Sequence, residues 1–354
     1  MSEDVLDTVA GAAAAAFGFA DARRERVTEG LINDTYLVRD AGTGAPLAVL
    51  QRLHPIFAPE VHHDIDAVTA HLAARGLDTP RLLRTRGGEH WVRLEGGIWR
   101  ALTYVDGITR SRVENPAQAR SAGELVGRFH AATADLDHAF SFSRPGVHDT
   151  SAHLARLRSA VGESRADELA EARALGAAIL ARAEALPALP ELPSRIAHGD
   201  LKISNVVFFR DEPDRARCLI DLDTLTRQSI AFELGDALRS WCNGGGEDEP
   251  GRAALDLEVL DAALRGYAGG AGALLSATEI DAIVPGIETI CVELAARFCL
   301  DAFEDQYFGW DPARYPSRRE HNLARARGQL ALSRSVNEQR EAACKAARGA
   351  FADA

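Results

Sequence analysis

The sequence predicts an α+β chain in two parts: a small, strand-rich part over residues 1–105 and a larger, mostly helical part over residues 106–354. Two patterns predict the division. Short runs at 26–38, 48–53, 90–94 and 99–105 carry β-branched and aromatic residues and are separated by Gly-containing turns. After Gly107 the apolar residues recur at helical spacing instead. A third observation interrupts the helical part once. His198-Gly199-Asp200-Leu201-Lys202-Ile203-Ser204-Asn205 leads into the apolar run Val206-Val207-Phe208-Phe209. Ile220-Asp221-Leu222-Asp223 follows after a turn rich in charge and proline at 210–217.

Residues 3–16 read as an Ala-rich helix. Residues 26–38 read as strand, turn, strand, centred on Gly30-Leu31-Ile32-Asn33-Asp34-Thr35-Tyr36. Over bound phosphates, Gly30 would let the backbone approach, and Asn33 and Thr35 would donate hydrogen bonds. A purely structural hairpin has the same appearance, because neither a G-x-G-x-x-G nor a Walker loop is present. The strand at 48–53 lacks the Lys that kinases place there for the α- and β-phosphates. Arg52 is the candidate substitute, since a guanidinium grips phosphate in a bidentate way. Strand alternation leaves open whether Arg52 faces a ligand or solvent.

A helix over 59–75 follows from Ile65, Val68 and Leu72, with Gly76 as its stop. Its Glu60, Asp64 and Asp66 either pair with the strand cation or lie in water, and His62 and His63 read as surface residues. The strand at 99–105 ends in Thr103-Tyr104-Val105-Asp106-Gly107, a candidate hinge whose backbone at Thr103 and Val105 could pair with adenine. In the helical part, 116–136 and 152–186 read as helix, and a Pro-spaced connector at 187–193 delivers the chain to the His198 stretch. Asp236 falls in the first turn of a helix, where a carboxylate suits the dipole, and is expected to brace the His198 loop by accepting its N–H groups. Three or four helices follow. Among them, 293–301 and Asp305-Gln306-Tyr307-Phe308 mix charge and aromatics as a polyol pocket would. The last helix, 318–348, is strongly charged and expected on the outside.

The chemistry gathers at the interruption. A phosphoryl-transfer transition state carries charge on its non-bridging oxygens, which Mg²⁺ neutralises. Mg²⁺ takes one or two protein oxygens. Asn205 offers an amide oxygen and Asp221 a carboxylate, while Asp200 is left to accept a proton from a substrate hydroxyl. Asp200 and Asn205 have the Asp-x-x-x-x-Asn spacing of a kinase catalytic loop, with Gly199 where protein kinases have Arg. Lys202 lies inside that loop, where a cation can reach the γ-phosphate. If the two flanking strands pair as a hairpin, Asp200, Asn205 and Asp221 meet at one end of it.

Bulk properties restrict the partners. A formal net charge of -12 argues against non-specific nucleic-acid binding and against docking on anionic lipid. The five cysteines, with no C-x-x-C pair, argue for reduced thiols and a cytoplasmic setting. The N-terminal Ala run lacks a basic leader and reads as a helix, not a signal peptide. No stretch reaches the roughly 18 apolar residues of a membrane span.

With Gly in its H-G-D motif and I-D after it, the chain resembles the aminoglycoside phosphotransferase and choline kinase superfamily. Within it, the chain looks like an N-acetylhexosamine 1-kinase. The matching segments begin at Gly30-Leu31-Ile32-Asn33, Val49-Leu50-Gln51-Arg52 and Pro145-Gly146-Val147-His148-Asp149-Thr150. They continue through the two catalytic motifs, Leu234-Gly235-Asp236-Ala237-Leu238-Arg239, Ala296-Arg297-Phe298 and Tyr307-Phe308. The resemblance implies a bilobal protein-kinase-like fold: an N-lobe with an antiparallel sheet plus a helix, a hinge, and a helical C-lobe. It also implies ATP, Mg²⁺ and a sugar whose anomeric hydroxyl is phosphorylated. By carry-over Asp200 is the base, Asn205 and Asp221 hold metal, and Arg297 and Tyr307 touch the sugar. That branch has Gly-His-Ile-Asn in the hairpin, its His approaching the sugar; here the position is Leu31. Such a loss can shift acceptor choice strongly. An aminoglycoside, an amino alcohol or another hydroxylated metabolite is therefore the alternative acceptor, and a nucleotide-binding pseudokinase the alternative role.

Overall fold

The computed structural model describes residues 3–27, 33–142, 146–163 and 167–353. It divides into two compact units. The first comprises Met1–Gly107 together with Asp135–Ser143 and Cys218–Leu225; the second comprises the rest. The chain thus returns to the first unit twice after residue 107, which the expected single boundary after residue 105 does not include.

The first unit contains α1 (Glu3–Ala16), β1 (Arg23–Val27), β2 (Asp34–Arg39), β3 (Pro46–Leu53), α2 (Val61–Ala74), β4 (Val92–Leu94) and β5 (Gly97–Thr103). The strands form one antiparallel sheet in the order β1-β2-β3-β5-β4. Leu6, Val9, Ala10, Ala13 and Ala14 of α1 pack with Phe17 on Tyr36, Val38, Ala48, Leu50, Trp99 and Ala101 of the sheet. The register fixes which residues share that face. Leu50 opposes Ala101 and Arg52 opposes Trp99, so Arg52 lies on the α1 face. Gln51 opposes Arg100, and both point the other way.

Helix α2 has its expected apolar stripe, Ile65, Val68 and Leu72, but also buries His62 and Asp64. Asp64 accepts from the Ser141 and Phe142 N–H groups (2.8 and 2.9 Å) and bonds His138 (2.8 Å). It is therefore neither solvated nor paired with a strand cation. His62 is not the surface residue expected, whereas His63 is exposed.

The second unit contains α3 (Pro116–Thr133), α4 (Thr150–Glu163), α5 (Ala170–Glu184), β6 (Ser194–Ala197), β7 (Val206–Phe208), the start of β8 (Ala216–Leu219), β9 (Thr226–Ser229), α6 (Ile230–Trp241), α7 (Leu257–Ala271), α8 (Ala277–Glu304), α9 (Arg318–Glu338) and α10 (Arg340–Ala352). The expected helix at 152–186 is two helices, α4 and α5. The expected outer helix at 318–348 breaks at Gln339. Its first part, α9, is not peripheral. It packs on α8 and buries Leu323, Ala326, Leu330 and Leu332, while its arginines reach out to carbonyl and carboxylate partners. Strands β6 and β9 pair antiparallel, and β7 pairs with β8. The β7–β8 turn closes with Phe209 N–H donating to the Arg215 carbonyl (3.0 Å).

Candidate active site

The His198 loop leaves β6 and is fixed from beneath by one buried carboxylate. Glu233, in the first turn of α6, accepts from His198 N–H (2.7 Å), Gly199 N–H (3.1 Å) and the Gln228 side-chain amide (2.8 Å). His130 Nε2 lies 3.4 Å away. Burial alone would push the Glu233 carboxyl up, but His130 and the His198 side hold it below its ordinary range. The bracing role expected of Asp236 thus belongs to Glu233, three residues earlier. Asp236 pairs with Arg239 instead (2.8 Å). Helix α6 in turn crosses α8 closely through two glycines. A Cβ on Gly235 would meet the Gly286 backbone at 2.8 Å, and one on Gly286 would meet the Ala231 carbonyl oxygen at 2.1 Å. A second tie holds the loop: the Trp241 indole N–H donates to the Leu201 carbonyl (2.7 Å).

On this support the loop places three polar side chains together. Gly199 takes φ 80°, a conformation that glycine adopts without strain. Lys202 Nζ is 2.7 Å from Asp200 Oδ2. The Asn205 amide nitrogen donates to the Asp200 carbonyl (2.8 Å) and to Asp200 Oδ2 (3.1 Å). These two bonds set the orientation of the Asn205 amide, with the NH₂ toward Asp200 and the oxygen turned away. A hard divalent cation prefers such an oxygen. The Asp-x-x-x-x-Asn spacing put Asp200 and Asn205 in one loop with Lys202 between them; here the Lys202 ammonium is on Asp200.

Asp221 belongs to the first unit. It takes φ 64°, ψ 56°, a left-handed conformation that is uncommon for a residue with a Cβ. Non-glycine residues held this way cluster at functional sites. The turn that follows it, Leu222–Thr224, carries Asp223, which the sequence reading left without a role. Asp223 is buried and bonded by Arg100 of β5 and by Asn33. Arg52 pairs with Asp34 on the α1 face (Nη2 to Oδ2, 2.5 Å). Asn33 also accepts the His54 N–H (2.9 Å), and Thr35 accepts from Gln51 (3.2 Å). Gly30 and Leu31 lie outside the described residues. At the candidate hinge, Thr103 N–H donates to the Arg81 carbonyl (2.8 Å), and Val105 is half-buried ahead of Gly107.

In the second unit, Arg297 and Tyr307 border a cluster that the sequence reading did not assign. Glu293 of α8 is buried, bonded by Thr150 (2.6 Å) and His148 (3.1 Å), with Arg297 at 3.8 Å. Burial would lower the His148 pKa, but the Glu293 carboxylate raises it overall. Arg297 lies over the Phe308 ring, 5.7 Å from its centroid. Buried Asp301 accepts from the N–H groups of Gln306, Tyr307 and Phe308, and so fixes the segment that presents Tyr307, itself 59% exposed. In the sequence, His148 and Thr150 fall inside the matched Pro145–Thr150 segment and Glu293 opens the 293–301 run expected to line a pocket, but nothing there joins the two.

A sheet-bearing unit and a helical unit with an H-G-D loop define a kinase-like phosphotransferase. Solved structures agree on the fold: a microcompartment-associated aminopropanol kinase superposes with a TM-score of 0.63 at 17% identity, covering 95% of this chain and 98% of its own. The phosphotransferase enzyme family model matches residues 23–273, and the chain belongs to that family. The chain is similar to a homoserine kinase of Granulibacter bethesdensis, 29% identical over 283 residues, which cover 79% of this chain and 80% of that protein. It is also similar to a homoserine kinase of Methylobacterium nodulans, 33% identical over 174 residues, which cover 49% of this chain and half of that protein's length.

Proposed function

We propose that the protein transfers the γ-phosphoryl group of ATP to an alcohol on a small metabolite, with Mg²⁺. One observation carries the reading: the Asp200 carboxylate, held by Lys202 and Asn205 in a loop fixed by buried Glu233. Asp200 orients the acceptor hydroxyl and takes its proton as the oxygen attacks. Lys202 offsets charge on the transferring group. From their places in the sequence motifs we assign Asn205 Oδ1 and the Asp221 carboxylate as the oxygen donors for the metal, which would supply charge neutralisation at the phosphates when bound.

Two acceptor classes have specific support. A hydroxylated amino acid such as homoserine fits the named relatives. It also fits the Glu293 cluster. There His148 and Arg297 lie beside the buried Glu293 carboxylate, and a carboxylate-bearing acceptor could engage these basic groups. An N-acetylhexosamine phosphorylated at its anomeric hydroxyl is the second class, supported by the matched segments around Arg297 and Tyr307.

An acceptor panel with ATP consumption as readout tests both: homoserine, N-acetylglucosamine, N-acetylgalactosamine, kanamycin and 1-amino-2-propanol. Turnover with homoserine well above the others supports the first class. Turnover with a sugar alone moves the second ahead, and a response only to kanamycin or the amino alcohol rejects both. Asp200→Asn tests the chemistry. Loss of a general base lowers turnover by about 10²–10⁴-fold, with the KM for ATP nearly unchanged. Full turnover in the variant removes Asp200 from its role, and no turnover by the wild type with any acceptor favours a pseudokinase.

A further inference from the structure

Sheet strands in kinases carry a Lys that is ion-paired to a helix carboxylate, and both must be in place for transfer. Strand β3 of this chain has no Lys, and Arg52 is on the α1 face, paired with Asp34. The opposite face holds another cation. Arg100 of β5 is 2% exposed and Asp223 is 1% exposed. Arg100 Nη2 donates to Asp223 Oδ2 at 2.8 Å, and Nη1 donates to Oδ1. Arg100 Nε and Nη2 both donate to Gln51 Oε1 (3.0 and 2.7 Å). Asn33 Nδ2 adds a bond to Asp223 Oδ2 (2.7 Å). Arg100 of β5 and Asn33 before β2 therefore converge on one carboxylate, and Gln51 of β3 holds the guanidinium.

That carboxylate lies two residues beyond Asp221, whose left-handed backbone starts the turn. We infer that the Arg100–Asp223 pair is a positioning device that fastens the Asp221 turn to the sheet, in place of the missing strand Lys and its helix partner. The inference rests on the reading above that Asp221 holds the metal. It separates two acids that lie close in sequence. Both oxygens of Asp223 are bonded by Arg100 and Asn33, which suits a support, while the metal role of Asp221 comes from the reading above. It also accounts for Gln51: an acceptor there saturates the guanidinium, where a Lys would compete for Asp223.

The test uses the full chain with Asp223→Asn, Arg100→Lys, Arg100→Met and the milder Gln51→Leu. Mn²⁺ binding is read by the loss of the free-ion EPR signal in the presence of a non-hydrolysable ATP analogue. The Mg²⁺ requirement of turnover, the KM for ATP and the melting temperature are measured beside it. In Asp223→Asn we expect Mn²⁺ to bind at least 10-fold more weakly and turnover to fall 10- to 100-fold, with the KM for ATP within about 3-fold. Arg100→Lys should recover part of what Arg100→Met loses, and Gln51→Leu should shift metal binding by a smaller factor. Unchanged Mn²⁺ affinity in folded Asp223→Asn overturns the inference. So does a change confined to the KM for ATP, which would assign the pair to the nucleotide. If Asp223→Asn does not fold, an unchanged Mn²⁺ affinity in folded Gln51→Leu and Arg100→Lys overturns it equally. Asp221→Asn distinguishes the two levels: if it too leaves Mn²⁺ binding intact, the metal assignment of Asp221 is what has failed.

Discussion

Replacing Glu233 by Gln keeps the shape of the side chain and removes its charge. Glu233 has two oxygens, and three donors use them: His198 N–H, Gly199 N–H and the Gln228 amide. A glutamine offers one acceptor oxygen and turns an NH₂ toward the other site. At least one buried donor then faces a donor. An unmet buried group costs about 1–3 kcal/mol, and the remaining bonds lose their charge assistance, so the expected destabilisation is about 2–4 kcal/mol. The catalytic consequence follows from position. The two N–H groups belong to the residues immediately before Asp200, so their release shifts the base itself. A displacement of about 1 Å can cost roughly 10²-fold in rate. Urea unfolding gives the first quantity and steady-state ATP turnover the second, at a temperature where the variant is folded. Turnover should fall 10- to 100-fold with little change in the KM for ATP. A variant within about 0.5 kcal/mol of wild type and equally active would refute the bracing role.

Gly235→Ala places a methyl 2.8 Å from the Gly286 backbone, where neither partner is the end of a flexible side chain. It should lower stability by about 1–3 kcal/mol and turnover with it, because α6 carries Glu233; an unchanged urea midpoint would contradict the close crossing. His62 gives a pH signature. Burial and the Arg100 cation, with His90 further off and Asp223 opposing, pull its pKa from 6.5 to about 4. The unfolded chain therefore binds a proton that the folded chain refuses. The stability it contributes is fully present above pH 6.5 and is lost as the pH falls from there to about 4, by roughly 3 kcal/mol at most. Comparing unfolding free energies of wild type and His62→Gln between pH 7 and pH 4 isolates this slope from His148, whose raised pKa acts in the opposite sense. Equal slopes in the two proteins would show that His62 does not bear it.

The legible part of the site was the part whose chemistry is local in sequence. Asp200, Lys202 and Asn205 fall within six consecutive residues, so one loop conformation brings them together and spacing alone reveals it. The support was less legible because it depends on rotation about axes that the sequence does not fix. Glu233 and Asp236 are both acids near the start of α6, and the choice between them is a matter of helical phase. Arg52 and Arg100 are both strand arginines, and the register decides which faces Asp223. A signal for Arg100 was nevertheless present. In Ile98-Trp99-Arg100-Ala101-Leu102 a guanidinium lies inside an apolar run, and a charge buried there requires a partner. Nothing local to that run names Asp223 as the partner, which lies more than a hundred residues on. The opposite error occurred at α9, where a high density of arginine suggested an outer helix. Long side chains carry their charge to the rim while the stems and intervening apolar residues are buried.

The buried carboxylates raise a question about what they are for. Replacing a buried ion pair by apolar side chains of similar volume is often neutral or stabilising, so burial of Arg100 with Asp223 is not evidence of a gain in stability. Their position points elsewhere. Glu233 holds the turn entering the Asp200 loop, and Asp223 holds the turn leaving Asp221. An apolar contact would secure either turn loosely, because dispersion has no direction, whereas a bidentate guanidinium fixes distance and angle together. On this account the double substitution Arg100→Met with Asp223→Leu should unfold within about 2 kcal/mol of wild type or later than it. It should nonetheless bind Mn²⁺ in the presence of nucleotide as weakly as Asp223→Asn does. A double variant that recovers both stability and metal binding would mean that filling the space is enough, and that the charges add no orientation.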